Sequence, residues 1–507
     1  MKYLTLSLAI LFLNSASAIE VKPGEVDVIL WFDTEDYLLP ADDDATKRLC
    51  EMLTARNIRA TFKLVGEKAR TLQKRGRTDV IEALKKHDIG YHSNFHSVHP
   101  TPAEYLAECG FLDGVAEFTR RELKGAADVR RILGVDTLAC YGQPGSSWGS
   151  QTLAALKAIG VAPHGIPCYV DEGSHVGLNQ KPFWYCGALV VYKMGENRLR
   201  MDLHKPEAVE PEKEKITKAA ERLRKEGGGL ISIFYHPCEW VHTQFWDGVN
   251  FSKGANPPRE LWKAPGQLPE SETNAAFERF GQYIDHIRAI PGLRFVTASD
   301  LPEIYPDRTK LDGAPAADLD EIAARLLKDD AKGVDIVTIE NRAYSPGDQF
   351  ELLTLAVSET NRSNTLAFPI KPQGLLGPDS APPAHPEGEK LKLSWAQFAD
   401  GLRDASAYIQ AEHRVPPRVF TGATSVPSAD FLAGLASVYA QWRKTKALPT
   451  QEDVALKAME VLTEKYIAKD DPKLWGWVIH PEGFHAPKIM EVARLQAWTL
   501  KPAIRGK

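Results

Sequence analysis

The stretch Val26–Asp36, VDVILWFDTED, carries a nearly unbroken apolar run into three carboxylates within four residues. A short apolar run of this kind reads as a strand buried on both faces, as parallel sheets require. Asp33, Glu35 and Asp36 at its C-terminal end repel one another unless a cation or a raised pKa relieves them. A helix N-cap cluster is the plainer use of such acids, but it accounts for Asp36 without requiring all three. In parallel α/β folds, ligands bind at that end of the strands.

Two more apolar runs end in the same way. After EALKKHDI comes GYHSNFHSVHP, which places His92, His96 and His99 within eight residues of a chain holding 14 histidines. The i, i+4 spacing lets one helical turn or tight loop aim His92 and His96 at one point, as a divalent metal needs. A surface helix pair is the plain alternative. Further on, LISIFYHP delivers His236 at a strand end, where Pro237 stops the run. Three strand ends, each carrying a potential ligand or acid–base group, favour a shared site over coincidence. His99, beside Pro100, is a loop residue near that mouth and a possible substrate contact.

Around these runs, strand-like and helical stretches alternate from Val26 to about Pro306. They include RATFKLVG, TLACYGQPG, SQTLAALKAIGV and LRFVTASDL. Such alternation predicts an α/β domain with a parallel sheet, either a barrel or a doubly wound sheet. The expected division is 24–308 for this domain, then 309–390 as an α/β segment ending in the Pro/Gly-rich KPQGLLGPDSAPPAHPEGEK. A smaller, mainly helical module follows over 391–507. Ser394 and Ser428 stand where helix N-caps are expected.

Composition excludes several classes. At 507 residues with 43% hydrophobic and 25% charged side chains, the chain is globular and multi-domain. A net charge of −5 without basic blocks argues against nucleic acid as a partner. The N-terminus, MKYLTLSLAILFLNSASA, reads as a secretory signal peptide cut near Ala18, giving a periplasmic or extracellular protein. No later run is long enough for a stable membrane span. Six cysteines without CxxC spacing make neither a disulfide scaffold nor a zinc knuckle. Cys168 and Cys186, flanking a loop-like stretch, are the expected pair if a bridge forms, with buried thiols as the alternative.

With FDTED, HSNFH and IFYH in this order, the chain resembles the polysaccharide deacetylases, carbohydrate esterase family 4, also called the NodB-homology domain. RATFKLVGEKA and RFVTASDLPEIY resemble further segments of that family. The resemblance implies a (β/α)7 barrel holding one divalent metal, usually zinc, and removing N-acetyl groups from an amino-sugar polysaccharide. It implies that His92, His96 and one acid of DTED hold the metal, with Asp36 as the expected ligand and Glu35 as the alternative. Asp33 then serves as general base and His236 as general acid. The family's Arg-x-Pro segment is YGQPGSSWG here, so the arginine that orients the base is missing, and Gln143 or Trp148 is expected to replace part of its role. The Asp-Trp loop of the family has no clear match, with Asp171 or Trp184 as stand-ins.

Aromatic faces stack on sugar rings, so Trp240 and Trp246, in the loop after His236, are expected as subsite walls, with simple packing as the alternative. In the C-terminal module, FADGLRDASAYIQAEHRVPPRVFTGATSVPSADFLAGLASVYAQW resembles a pseudomurein-binding-type repeat. That would make the module a cell-wall or glycan holder; a helical cap on the barrel is the alternative. Two other functions stay open on the same fold: a non-catalytic carbohydrate-binding protein, or a hydrolase of a different amide or ester.

Overall fold

A computed structural model describes residues 19–385, 392–449 and 453–506. The leader-like segment, residues 1–18, lies outside them. The first strand, β1 (Val26–Thr34), is buried along its whole length. Its side chains alternate between two cores. Val28, Leu30 and Phe32 join the larger one, while Ile29 and Trp31 join a second on the other face.

Around β1 lie β2 (Thr61–Leu64), β3 (Asp88–Tyr91), β4 (Cys168–Val170), β5 (Phe183–Tyr185), β6 (Ala188–Val191), β7 (Arg198–Leu199), β8 (Gly229–Tyr235) and β9 (Leu293–Val296). The order β3-β2-β1-β8-β7 is parallel throughout, and β9 also runs parallel to β1. Tyr141 bridges Tyr91 at the end of β3 to Tyr169 in β4, extending the parallel array. Beyond it, β4 pairs with β6, which turns back on β5 through Cys186 and Gly187. Both of those residues have positive φ, the conformation a tight hairpin requires.

Two expectations change here. Among the described residues no ladder joins β6 to β7, so the hydrogen-bonded sheet does not close into a ring of seven parallel strands. The β5–β6 hairpin is antiparallel, which a pure βα repeat excludes. All six cysteines are free thiols. Cys168 Sγ faces the Ala298 carbonyl at 3.8 Å, and the Cys186 backbone N–H is held by Thr499 Oγ1.

Amphipathic helices cover the sheet. Phe111–Leu133 packs on Gly66–Lys74 and Ser150–Ala155, and Val209–Lys225 packs on Glu270–Ala289. No helix among the described residues is long and apolar enough to cross a membrane.

In the C-terminal half, helices Ala316–Leu326, Pro346–Ser363, Trp395–Glu412 and Ser428–Thr445 share a separate core. Two of the four precede residue 391, so the helical grouping starts earlier than the sequence division placed it. Phe398 stacks on Phe431 at 4.8 Å between the later two. Ser394 caps its helix through the Gln397 N–H as expected, whereas Ser428 lies just inside its helix and bonds the Pro416 carbonyl. The chain then returns to the first domain. Ile467, Trp475, Ile489, Met490, Val492 and Leu500 enter the large core, and Lys501–Pro502 pairs with β5.

Candidate metal and acid–base site

The parallel register decides which side chains meet. Asp33 in β1 lies opposite Lys63 in β2, and Lys63 lies opposite Gly90 in β3. All three occupy one face near the C-terminal edge of the sheet. The Lys63 side chain is fully buried. Its Nζ lies 2.9 Å from Asp33 Oδ1 and 2.8 Å from Asp171 Oδ2, and donates to the Val170 carbonyl at 2.9 Å. Two glycines make room for it. A Cβ on Gly90 would come within 2.8 Å of Lys63 Cγ, and one on Gly142 within 1.9 Å of Nζ. Burial alone would pull the ammonium down, but Asp171 and Asp33 overcome that and hold it at about 12.

Glu35 follows Asp33 by two residues and so points to the same side, while Asp36 points away. Glu35 Oε2 is 2.9 Å from His96 Nε2 and 3.6 Å from His92 Nε2, and one donor atom from each of the three lies within 4.8 Å of the others. His92 Nδ1 bonds the Gly142 carbonyl at 3.0 Å, which leaves Nε2 facing the carboxylate. His96 Nδ1 is bonded to Ser97 Oγ at 2.5 Å. His96 itself has φ of 60°, so a tight loop rather than a helix brings the two rings together.

The expected ligand Asp36 sits elsewhere. Its Oδ1 accepts from the Leu38 N–H at 2.7 Å, and its Oδ2 lies 3.1 Å from His242 Nδ1. The acid that meets the imidazole pair is the alternative, Glu35.

These groups fit a divalent cation. Glu35 Oε1 is buried without a hydrogen-bond partner, a costly state that a cation relieves. Two imidazoles and one carboxylate are also a set that zinc accepts while keeping a position open. A second trio, Asp33, His92 and Asp171, is already served by the Lys63 ammonium.

His236 stands at the end of β8, beside Asp33. Its Nε2 is 3.6 Å from Asp33 Oδ2, and its Nδ1 is 2.6 Å from Glu239 Oε1. Burial lowers the imidazolium's pKa, but Glu239 more than offsets this and lifts His236 to about 9. Asp33 shows the opposite balance. Burial raises it, yet His92, Lys63 and His236 together hold it below the ordinary carboxylate range. At neutral pH the site therefore pairs a carboxylate with an imidazolium.

Asp33, Glu35, His92, His96 and His236 line a pocket of about 390 Å³, walled by Trp31, Phe234, Phe245, Trp477 and Val478. Gln143 lines it as expected, with its amide tied to Tyr169 OH at 2.5 Å and the Gly145 carbonyl at 2.8 Å. Asp171 is there too, as the partner of Lys63, whereas Trp184 is buried in the second core, which also holds Trp31.

Three expected substrate contacts are core residues instead. Trp148 stacks on His175 at 5.0 Å. Trp240 packs among Phe32, Tyr235 and Phe280. Trp246 packs on Tyr37, Phe251 and Trp262. Each is buried to within 1%, because a long aromatic loop gains more from filling a core than from facing water. His99 also turns away from the pocket to bond Glu104 at 2.7 Å.

Lys63 was missed, although a lysine inside an apolar strand is a readable anomaly. Nothing in the sequence marked Trp477.

No family model and no curated protein matches this chain. Solved structures do resemble it over a little more than half of its length. A putative polysaccharide deacetylase from Mycobacterium smegmatis is 13% identical, with 57% of this chain and 93% of that chain covered and a TM-score of 0.36. Puue allantoinase is 12% identical, with 56% and 92% covered and a TM-score of 0.36. A family 4 acetyl xylan esterase from Clostridium thermocellum, in complex with a cobalt ion, is 15% identical, with 54% and 90% covered and a TM-score of 0.29. At such low identities and scores, the chemistry has to be read from this chain's own side chains.

Proposed function

We propose that the protein is a metal-dependent amide hydrolase that removes the N-acyl group from an acylated amino sugar. The observation that carries this reading is the convergence of Glu35, His92 and His96 beside Asp33 and His236 in one pocket. Glu35 and the Nε2 atoms of His92 and His96 would hold the metal, zinc by the chemistry of the donor set. When bound, such an ion polarises a carbonyl and makes water a better nucleophile at neutral pH.

The protein's own groups supply the proton transfers. Asp33, ionised by its neighbours, takes a proton from the attacking water. Lys63 fixes the orientation of that carboxylate by holding Oδ1, which leaves Oδ2 toward the pocket and His236. His236, protonated at neutral pH and steadied by Glu239, donates from Nε2 to the departing amine. Trp31, Phe234 and Phe245 give the pocket an apolar wall beside these groups.

The leader-like N-terminus supports export to a compartment where glycans are exposed. Acetate release from N-acetylglucosamine and its β-1,4 oligomers tests the reading. Release that stops with chelator, returns with zinc and is lost in Asp33→Asn is expected; no release from any of these substrates contradicts it.

A further inference from the structure

The turn Trp475–His480 reaches the site from far along the chain, and it is firmly held. Trp475 is buried against His175 at 4.7 Å, and Ile479 is buried with Tyr37, Val65 and Phe251. Between these anchors the turn presents Trp477 and Val478 to the pocket.

It also joins the two loops that flank the pocket. On one side the Trp477 N–H donates to Ser146 Oγ at 3.2 Å. There the indole lies so close to Gly145 that a Cβ would meet the ring at 2.2 Å. On the other side Trp477 Nε1 donates to Asp247 Oδ2 at 2.8 Å. The Val478 and Ile479 carbonyls accept from the Lys253 and Gly254 N–H groups at 3.0 and 2.7 Å. The loop after Tyr141 and the short helix Trp246–Phe251 with the turn that follows it are thereby strapped together across the cleft. The Trp477 ring meets the metal-site imidazole of His96 edge-on at 5.2 Å.

What remains is a pocket of about 390 Å³. A cleft of this size suits a single small ring such as an N-acylated sugar. Its rim carries two exposed apolar side chains, Phe245 at 37% and Val478 at 51% exposure, the kind of surface on which a sugar face packs.

We propose that this turn closes one end of the cleft, so that the site takes a single acylamino sugar ring at a chain end and excludes the interior of a polymer. The proposal rests on the deacylase reading above, and the test separates the two. The full-length, zinc-loaded protein is incubated with the β-1,4 tetramer of N-acetylglucosamine, and the position of each lost acetyl group is mapped by tandem mass spectrometry. Loss from one terminal ring alone is expected. Trp477→Gly is expected to raise internal loss about tenfold, whereas Trp477→Phe, which keeps a ring on the wall, keeps the terminal selectivity. Internal loss by the unmodified protein at the terminal rate overturns the proposal and leaves the deacylase reading intact.

Calorimetry with Asp33→Asn gives a readout without turnover. Monomer and tetramer are expected to bind within about threefold of each other, since one ring is held, and Trp477→Gly weakens both about tenfold. A tetramer bound more than about thirtyfold tighter than the monomer, or no sugar binding at all, overturns the proposal. Single-ring binding without acetate release supports the proposed pocket and counts only against the deacylase reading.

Discussion

Lys63 Nζ lies 2.9 Å from Asp33 Oδ1, both side chains out of water and directly opposite each other on neighbouring parallel strands. The segment after Tyr141 lacks an arginine, and the cation beside the expected base comes instead from inside the sheet. Gly90 and Gly142 leave the space it needs. Its second partner, Asp171, makes the ammonium a bridge between two carboxylates.

Removing that bridge leaves two buried carboxylates uncompensated. Lys63→Met is expected to cost about 3–5 kcal/mol in urea unfolding. Adding Asp171→Asn is expected to recover much of that stability but not the turnover, because Asp33 stays unoriented. Full activity in the stable double variant would show that Lys63 serves the fold alone.

In the proposed mechanism His236 sets the alkaline limit of the rate. As a general acid with a pKa raised to about 9, it keeps its proton through neutral pH and loses it as pH rises past that value. Turnover is expected to fall above pH 9. Glu239→Gln removes the carboxylate that holds the proton, so the alkaline limb is expected to move down by about one unit or more. A limb that stays in place would assign the acid elsewhere.

Two buried histidines outside the acid–base pair make stability depend on acid. Burial lowers His87 to about 4 and His175 to about 3, so both are neutral in the folded protein. Their unfolded values lie near 6.5. The stability they permit is complete above that value and is lost as pH falls toward 4. For His87 the loss approaches roughly 3 kcal/mol at pH 4. Urea midpoints at pH 7.5 and pH 5 are expected to differ accordingly, and His87→Gln, which keeps a hydrogen-bonding side chain, to narrow the gap.

Trp240 separates core from subsite. Packed on Phe32, Tyr235 and Phe280, it is expected to cost about 3–5 kcal/mol as Trp240→Ala. Trp240→Phe is expected to leave KM unchanged; a KM that rises severalfold in this milder variant would place the ring on the substrate after all.

Much of the site was legible because strand ends announce themselves. The apolar run into Asp33, Glu35 and Asp36, the His92–His96 spacing and the strand end at His236 all lead to one pocket. The choice between Glu35 and Asp36 was not legible. It depends on which side of the chain each carboxylate leaves just past a strand, and sequence shows that only once the last paired residue is known. Trp148, Trp240 and Trp246 carry the same residue type as Trp477, and nothing local distinguishes a ring that fills a core from one that walls a pocket. The return of the chain after Ile467 is a long-range packing event with no local signature, so the division at 391 could not foresee it. Lys63 was hidden in a strand whose apolar neighbours dominated its reading.

Zinc titration by calorimetry, on the unmodified protein and on Glu35→Ala, His92→Ala and Asp36→Asn, tests the metal site most directly. One equivalent is expected to bind the unmodified protein. Affinity is expected to fall about a hundredfold or more in the first two variants and to stay within about threefold in Asp36→Asn. No zinc binding by the unmodified protein, or tight binding that survives Glu35→Ala and vanishes in Asp36→Asn, would contradict the account.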